Sequence, residues 1–133
     1  MTSGKGGATF AFTKLVVHDL DRAAAFYRAA CGYTEDDLLQ ADLDGRPVEE
    51  IVLRTPEGAL DLVVLRYPRS PPPSRSDVIT GLYTPDLDAF QERVLGAGGT
   101  VVHAIKSIEV GAHRMRIGFF ADPEGNLLEV MER

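Results

Sequence analysis

The chain of 133 residues, with 44% hydrophobic and 26% charged residues, is typical of one globular domain and excludes disorder throughout. A net charge of −6 argues against the phosphate contacts on which nucleic-acid binding depends, so we expect no nucleic-acid partner. One cysteine and the lack of any apolar run near about 20 residues exclude a disulfide framework and a membrane span, which predicts a cytoplasmic protein without a membrane partner.

The first half of the sequence predicts a strand, a helix and three further strands. A β-branched and aromatic run at 10–17 indicates the first strand. Asp19 is a suitable N-cap for a helix that Gly32 would end. The three further strands are predicted over 33–43, 48–53 and 59–67, with turns at Asp44-Gly45 and Thr55-Pro56-Glu57-Gly58.

The second half repeats this order after a proline-rich stretch. The segment 68–77 contains Pro71-Pro72-Pro73 and predicts an extended, semi-rigid linker. A strand at 78–83 then precedes a helix over 86–97. The last three strands are predicted over 100–105, 113–120 and 127–131, with a tight turn at Asp122-Pro123-Glu124-Gly125-Asn126.

A repeated phrase supports a duplicated unit. Asp-Leu-Asp occurs at 19–21 and at 86–88, 67 residues apart, and each copy follows an apolar run and opens an amphipathic stretch. The sequence therefore predicts an α+β fold of two tandem βαβββ modules that form a curled mixed sheet around a cleft. The predicted divisions are a flexible N-terminus at 1–7 and a single domain at 8–133, with module one at 8–67, the linker at 68–77 and module two at 78–133.

Two motifs in this order resemble those of the vicinal oxygen chelate superfamily. They are Val17-His18-Asp19-Leu20-Asp21-Arg22-Ala23 with Phe26-Tyr27, and Asp122-Pro123-Glu124-Gly125-Asn126-Leu127-Leu128-Glu129-Val130. The superfamily includes glyoxalase I, extradiol dioxygenases, fosfomycin-resistance transferases and bleomycin-resistance proteins, and the resemblance covers residues 8–133. It implies the tandem fold and its cleft, but not one reaction, because this fold has several functions.

The resemblance also implies positions for metal ligands in the cleft. Metal-dependent members carry a His or Gln seven residues before the Asp that opens each helix, and an acid in the last strand of each module. The first rule leads to Phe12 and Ile79, which have no donor atom. The acids are Asp61 and Glu129, which follow the helix-opening aspartates by 42 and 43 residues. Two carboxylates bind Mg²⁺ weakly at best, so we expect no metal cofactor and treat Asp61 and Glu129 as weak metal candidates.

The same cleft predicts a ligand site without a metal. Phe12, Ile79 and Tyr83 would form an apolar, aromatic lining that suits a planar or hydrophobic ligand. Ordinary core packing is the alternative, above all for Ile79. His113 has the best pocket position of the histidines because its strand borders the expected cleft, although the sequence does not decide which face of that strand does so.

Asp61 and Glu129 would anchor a cationic or hydrogen-bonding ligand in such a site. The alternative is a structural ion pair of either acid with an arginine, such as Arg54, Arg114 or Arg116. The predicted ligand-binding set is Phe12, Asp61, Ile79, Tyr83, His113 and Glu129.

These observations predict a metal-independent protein that binds a small molecule such as an antibiotic or natural product and confers resistance by sequestration. The alternative is a lyase, isomerase or dioxygenase of the same superfamily with a metal-dependent or atypical site. A third hypothesis is a regulatory or subunit module whose cleft has lost its ligand. We expect a homodimer, as in short members of the superfamily, and the modules could pair within one chain or across the dimer.

Overall fold

The computed structural model describes residues 12–43, 46–69, 78–110 and 112–133. Within these ranges, no helix is both long enough and apolar enough to cross a bilayer. Three predicted features lie outside the described residues: the flexible N-terminus at 1–7, the turn at Asp44-Gly45 and the Pro71-Pro72-Pro73 stretch.

Module one forms a five-stranded mixed sheet with one helix. β1 and β5 are parallel at one side of the sheet, and the other pairs are antiparallel. The strand order is β1-β5-β4-β2, and β3 also pairs with β4. The elements are β1 (Thr13–Val16), α1 (Leu20–Cys31), β2 (Thr34–Glu35), β3 (Leu39–Leu43), β4 (Arg46–Arg54) and β5 (Leu60–Arg66).

The strand predicted over 33–43 is two strands, β2 and β3, rather than one. Asp36 and Asp37 lie between them, and aspartate is disfavoured in strands. The backbone N–H of Asp36 donates to the carbonyl of Val52 at 2.9 Å, while its carboxylate accepts from Arg54 Nε at 3.0 Å. These bonds hold the interruption against β4.

Module two repeats the plan with a four-stranded mixed sheet. The strand order is β6-β9-β8-β7, in which β6 and β9 are parallel and the others antiparallel. The predicted α+β fold of two tandem modules is therefore confirmed; module two is βαβββ, and module one differs from it only by the division of one predicted strand into β2 and β3. The elements are β6 (Ile79–Thr84), α2 (Leu87–Gly96), β7 (Thr100–Val110), β8 (His113–Ala121) and β9 (Leu127–Glu132).

The repeated Asp-Leu-Asp phrase starts both helices. The carboxylates of Asp19 and Asp86 accept from the backbone N–H groups of Arg22 and Ala89, each at 3.0 Å. Each bond satisfies an amide that has no partner inside its helix. Gly32 ends α1 in the left-handed conformation at φ 75°, which a glycine adopts without strain.

Both modules contribute to one hydrophobic core. Phe26 and Tyr27 of α1 form an edge-to-face pair with ring centroids 5.0 Å apart, and both side chains are almost fully buried. Val94 of α2 and Phe120 of β8 are buried in the same cluster. The helices pack on one face of each sheet, and this shared core positions the two modules.

A buried hydrogen bond joins α1 to the β8–β9 turn. The hydroxyl of Tyr27 donates to Asp122 Oδ2 at 2.9 Å, and the two residues are 1% and 3% exposed. The Asp122 carboxylate also accepts from the backbone N–H groups of Glu124 and Asn126 and from Asn126 Nδ2. A charged group at this depth requires such bonds, and these satisfy it.

Two further contacts join the modules at opposite ends of α1. The Glu124 carboxylate accepts from the backbone N–H groups of His18 at 2.8 Å and Asp19 at 2.7 Å, just before α1 begins. At the other end, Arg93 Nε of α2 donates to the carbonyl of Ala30 at 3.0 Å. Module two therefore fixes both termini of the first helix.

Candidate functional site

A cavity of about 420 Å³ lies between the modules, on the side where the helices pack. Its walls are the last residues of α1, the start of β5, the strand β6 and the helix α2. An adjoining hollow of about 150 Å³ reaches Thr13 and Tyr27. The larger volume falls within the roughly 300–1,000 Å³ common for ligand sites. Both hollows are lined by Cys31, Tyr33, Asp61, Gly81 and Leu82.

Asp61 and Tyr33 form the polar pair of this cavity. The Tyr33 hydroxyl donates to Asp61 Oδ2 at 3.1 Å, and Asp61 Oδ1 has no partner among the described residues. Burial raises the pKa of the Tyr33 phenol well above its ordinary value, and Cys31 and Asp61 raise it further. The phenol therefore stays protonated at neutral pH and remains a donor to the carboxylate.

Arg93 brings the opposite charge to the same cavity. Its Nε bond to the carbonyl of Ala30 and its position 5.5 Å from the centroid of the Phe90 ring hold the guanidinium against the wall. Its Nη atoms have no hydrogen-bond partner among the described residues, so they are available to a ligand.

Cys31 lies at the end of α1 with a free thiol. Burial raises the pKa of this thiol to about 12; Arg93 acts to lower it and Asp61 to raise it. The thiolate is the reactive form of cysteine, so Cys31 is a packed wall residue at neutral pH and not an activated nucleophile.

The structure brings two of the six predicted ligand-binding residues to this cavity. Asp61 lines both hollows, and Tyr83 borders the larger one near the end of β6. Tyr83 is 59% exposed, and the Arg133 guanidinium lies 4.5 Å from its ring centroid. The remaining four predicted residues are not part of the lining: Phe12, Ile79, His113 and Glu129.

Phe12 and Ile79 lie on the faces turned away from the helices. Thr13 and Thr80 line the smaller hollow, and neighbouring residues of a strand point to opposite faces. Ile79 is 55% exposed, and the Lys14 ammonium lies 5.9 Å from the centroid of the Phe12 ring. Phe12 and Ile79 occupy equivalent positions in the two modules. Each lies on the face of its sheet that does not border the cavity.

Glu129 and His113 are directed away from the helices for the same reason. Leu128 and Val130 are fully buried in the core, so Glu129 between them lies on the other face of β9. In β8, Arg116 reaches α2, so His113, three residues earlier, lies on the opposite face. The face of β8 that contains His113 therefore does not border the cavity.

Within the described ranges, neither Asp61 nor Glu129 forms the ion pair with Arg54, Arg114 or Arg116 that was the alternative to a ligand contact. The three arginines pair with other acids. Arg54 pairs with Asp36 at 3.0 Å, Arg114 with Glu109 at 3.5 Å, and Arg116 with Asp88 at 3.1 Å and Glu132 at 3.2 Å.

Asp61 is an extra residue in β5 that has no counterpart in β9. Leu62 pairs with Thr13 as Leu128 pairs with Thr80, so the two leucines are equivalent. The preceding turns end at glycines with φ 91° and 89°, but Leu62 follows its glycine by four residues and Leu128 by three.

In the ladder with β4, Arg54 pairs with Leu60 and Leu53 with Leu62, which leaves Asp61 unpaired. A β-bulge of this kind changes the direction in which the side chain of the extra residue, Asp61, points.

This bulge corrects the sequence-based equivalence of Asp61 and Glu129. Glu129 pairs with Gly81 in β6, and the residue of β5 in the corresponding register, opposite Lys14, is Val63. The four positions implied by the resemblance are therefore held by Phe12, Ile79, Val63 and Glu129, and only one has a donor atom. Within the described ranges, no three His, Cys, Asp or Glu side chains converge. These residues do not fit a divalent metal ion.

Comparison with known proteins agrees with this architecture. The sequence model of the glyoxalase-like domain matches residues 11–131. The chain belongs to the glyoxalase-like domain family. The resemblance to the vicinal oxygen chelate superfamily is thereby confirmed. No curated protein sequence matches this chain significantly.

Solved structures similar to this glyoxalase-like domain share its fold at low sequence identity. A glyoxalase family protein from Bacillus cereus has a TM-score of 0.78 and 16% identity, with 98% of both chains covered. A glyoxalase/bleomycin resistance protein from Albidiferax ferrireducens has a TM-score of 0.65 and 17% identity, over 93% of this chain and 98% of that one. A glyoxalase I mutant from Zea mays has a TM-score of 0.69 and 17% identity, over 92% of this chain and 43% of that chain.

Sequence reasoning did not assign Tyr33 or Arg93 to the site of this glyoxalase-like domain. Tyr33 directly follows Gly32, and its reach toward Asp61 depends on how α1 ends and on the bulge in β5. Arg93 lies in the last turn of α2, where a basic residue is ordinary. No local sequence pattern distinguishes either residue. The bulge does have a sequence signal, because Leu62 and Leu128 follow their turn glycines by different numbers of residues.

Proposed function

We propose that this glyoxalase-like domain binds a small molecule without a metal, and that the cavity between α1, β5, β6 and α2 is its site. The observation that carries the proposal is the position of Asp61. Its carboxylate borders a cavity of about 420 Å³, while three of the four implied metal positions carry hydrocarbon side chains. A binding protein needs no metal ligands, because no bond of its ligand has to be broken.

The chemistry of the wall supports binding by a combination of charge and apolar contact. Asp61 offers a carboxylate oxygen without a protein partner, and the Tyr33 hydroxyl holds the other oxygen. Phe90 and Leu82 supply apolar surface beside it. Such sites fix a ligand by a few polar groups and gain affinity from the buried apolar area.

For the biological role, we propose sequestration of an antibiotic or a natural product by a cytoplasmic homodimer. One structural neighbour is described as a glyoxalase/bleomycin resistance protein, which supports a role of this kind. A reducing compartment suits the single free thiol of Cys31.

Thermal shift with a panel of polycyclic and glycopeptide antibiotics tests the proposal. A ligand at 100 times its Kd stabilises the native state by about 2.7 kcal/mol, and the melting temperature rises by several degrees. We expect Asp61→Asn to reduce this shift for cationic compounds. Asp37→Asn is the matched control, since it removes the same charge from an exposed residue outside the cavity lining.

Metal analysis before and after treatment with a chelator completes the test. We expect no stoichiometric transition metal and unchanged ligand binding after chelation. Stoichiometric Fe, Mn, Ni or Zn whose removal abolishes binding or turnover would contradict the proposal and favour a metal-dependent enzyme. A stable complex with another protein, without any response to small molecules, would favour a regulatory module.

A further inference from the structure

We propose that the cavity selects ligands that carry both a protonated amine and an anionic group, with Asp61 binding the amine and Arg93 the anion. This inference rests on the proposed small-molecule site and specifies the chemical class that it accepts. Four observations support it: the bulge at Asp61, the fixed guanidinium of Arg93, the absence of a pair between them, and the charge of the whole lining.

The bulge gives Asp61 its place in the cavity. Because Asp61 has no partner in the β4 ladder, the alternation of β5 does not direct its side chain to the face that contains Val63. The Tyr33 hydroxyl instead holds Asp61 Oδ2 beside the end of α1. The other carboxylate oxygen is free to accept from an ammonium group, which is a charge-assisted hydrogen bond.

Arg93 is held in a way that leaves its anion-binding atoms free. The bond from Nε to the carbonyl of Ala30 and the contact with the Phe90 ring restrict the side chain. A guanidinium that is already ordered loses less entropy when a ligand binds. Its Nη donors match the geometry of a carboxylate or a phosphate.

The two charged groups border the same cavity but do not neutralise each other. No ion pair joins Asp61 and Arg93 within the described residues, although both are near Cys31 and shift the pKa of its thiol in opposite directions. Both side chains border the space of the cavity, whose lining also includes Cys31 and Leu82. A ligand with two opposite charges can bridge this space.

The other described residues of the lining have no formal charge. Among the described residues that line the two hollows, Asp61 and Arg93 are the charged side chains. The protein has a net charge of −6, yet this lining has a formal charge of zero with one group of each sign. A purely cationic or purely anionic ligand would leave one of these groups without a counter-charge.

Four matched probes test this specificity: phenylalanine, phenethylamine, 3-phenylpropanoate and 3-phenylpropanol. Each has the same ring, and they differ in whether they carry the amine, the acid, both or neither. We expect phenylalanine to bind at least about tenfold more tightly than any other probe, measured by NMR titration of the amide signals. The largest shifts should belong to residues 31–33, 81–82 and 93.

Two variants assign the charges to the residues. Asp61→Asn should reduce phenylalanine binding to about the level of 3-phenylpropanoate, and Arg93→Gln should reduce it to about the level of phenethylamine. Arg93→Lys keeps the charge and should keep part of the preference, which separates lost charge from altered folding. Asp37→Asn and Arg114→Gln are matched controls, because both residues are exposed and outside the lining.

The outcomes distinguish this inference from the proposed function. Equal affinity for all four probes, or a preference that Asp61→Asn and Arg93→Gln do not change, would overturn the inference and leave a small-molecule site in place. If an antibiotic from the wider panel binds but phenylalanine has no advantage over the other three probes, the inference also fails and the proposed function stands. If neither the probes nor the wider panel bind, both the inference and the proposed function fail.

Discussion

The carboxylate of Asp61 and the phenol of Tyr33 depend on each other in the cavity wall. The hydroxyl donates to the carboxylate at 3.1 Å, and burial raises the pKa of the phenol so that it keeps its proton. A carboxylate that is held in this way retains one oxygen for a ligand. At the scale of single residues, the site is thus a pair of side chains that the end of α1 and the start of β5 bring together.

The sequence predicted Asp61 as a site residue but assigned it the wrong counterpart. The acids Asp61 and Glu129 follow their helix-opening aspartates by 42 and 43 residues, which suggested equivalent positions. The register shows that Val63 is the counterpart of Glu129. The spacing from the helix-opening aspartates could not reveal this, because one unpaired residue in a strand shifts the register of the residues beside it. The unequal spacing of the two strands from their turn glycines is the sequence signal that does.

Cys31 provides a prediction at the same scale. Burial raises the pKa of its thiol to about 12, so the thiolate fraction of the native protein at pH 8 is very small. We expect iodoacetamide to alkylate Cys31 at least on the order of 100-fold more slowly than a free thiol between pH 7 and 9. Mass spectrometry of the alkylated fraction measures the rate, and protein unfolded in urea serves as the control.

The same pKa predicts the direction of the effect on stability. Because the folded state holds the proton more tightly than the unfolded state, the contribution of Cys31 is fully present below its ordinary pKa and is lost as the pH rises toward 12. Cys31→Ala should therefore lose less stability between pH 9 and 11 than the unchanged protein. A native alkylation profile with a midpoint near pH 8.5 would contradict the buried thiol.

At the scale of elements, the helices and most strands follow from the sequence. Capping aspartates and helical spacing predicted a second helix over 86–97, and α2 is Leu87–Gly96. The exception is the strand predicted over 33–43, where Asp36 and Asp37 interrupt the pairing. Hydrophobic periodicity reports which residues are buried, but it does not show where a ladder is broken by a side chain that binds elsewhere.

Deletion of Asp61 tests the assignment of the inserted residue. The deletion gives β5 the same spacing from its turn glycine that β9 has, so we expect a regular β4–β5 ladder and a melting temperature within a few degrees of the original. Amide hydrogen exchange of β4 and β5 measures the ladder. The variant should lose the binding that depends on the carboxylate, as Asp61→Asn does. An unfolded deletion variant would show that Asp61 is required by the strand itself.

Two glycines at the end of α2 give opposite predictions. A Cβ on Gly99 would lie 2.6 Å from the carbonyl oxygen of Ala121 and 2.7 Å from atoms of Phe26 and Val94, so Gly99→Ala should destabilise the protein by about 1–3 kcal/mol. Gly96→Ala is the matched control, since no atom of the part of the chain that the structure describes lies within 4 Å of its Cβ position. Alanine there should stabilise by about 0.5–1 kcal/mol. Urea unfolding of both variants measures the difference, and equal effects would contradict the close packing.

At the scale of the whole molecule, the two modules form one structure through contacts far apart in sequence. Tyr27 of α1 binds Asp122 of the β8–β9 turn, and Glu124 of that turn binds the amides before α1. Arg93 fixes the other end of the helix and also borders the cavity. The repeat predicted the two modules, but not these contacts, because they join residues that are not equivalent in the two copies.

Tyr27→Phe measures the strength of this connection. The change removes the hydroxyl and leaves Asp122 with its bonds to Glu124 and Asn126, so we expect a loss of about 1–3 kcal/mol. Tyr83→Phe is the control for stability, because Tyr83 is 59% exposed, and it should change stability by no more than about 0.5 kcal/mol. Equal midpoints of urea unfolding for both variants would show that the buried bond does not connect the modules.

The extra residue in β5 also affects how this protein can evolve. Recovering a complete ligand set opposite Glu129 would require donor side chains at Phe12, Ile79 and Val63 together, and Val63 is only 3% exposed. No single one of these substitutions yields a working centre, and the one at Val63 also removes buried apolar contacts. Natural selection therefore has no favourable first step in that direction. Changes in the wall around Asp61 alter the preferred ligand one substitution at a time, so we expect new specificities in this lineage to arise there.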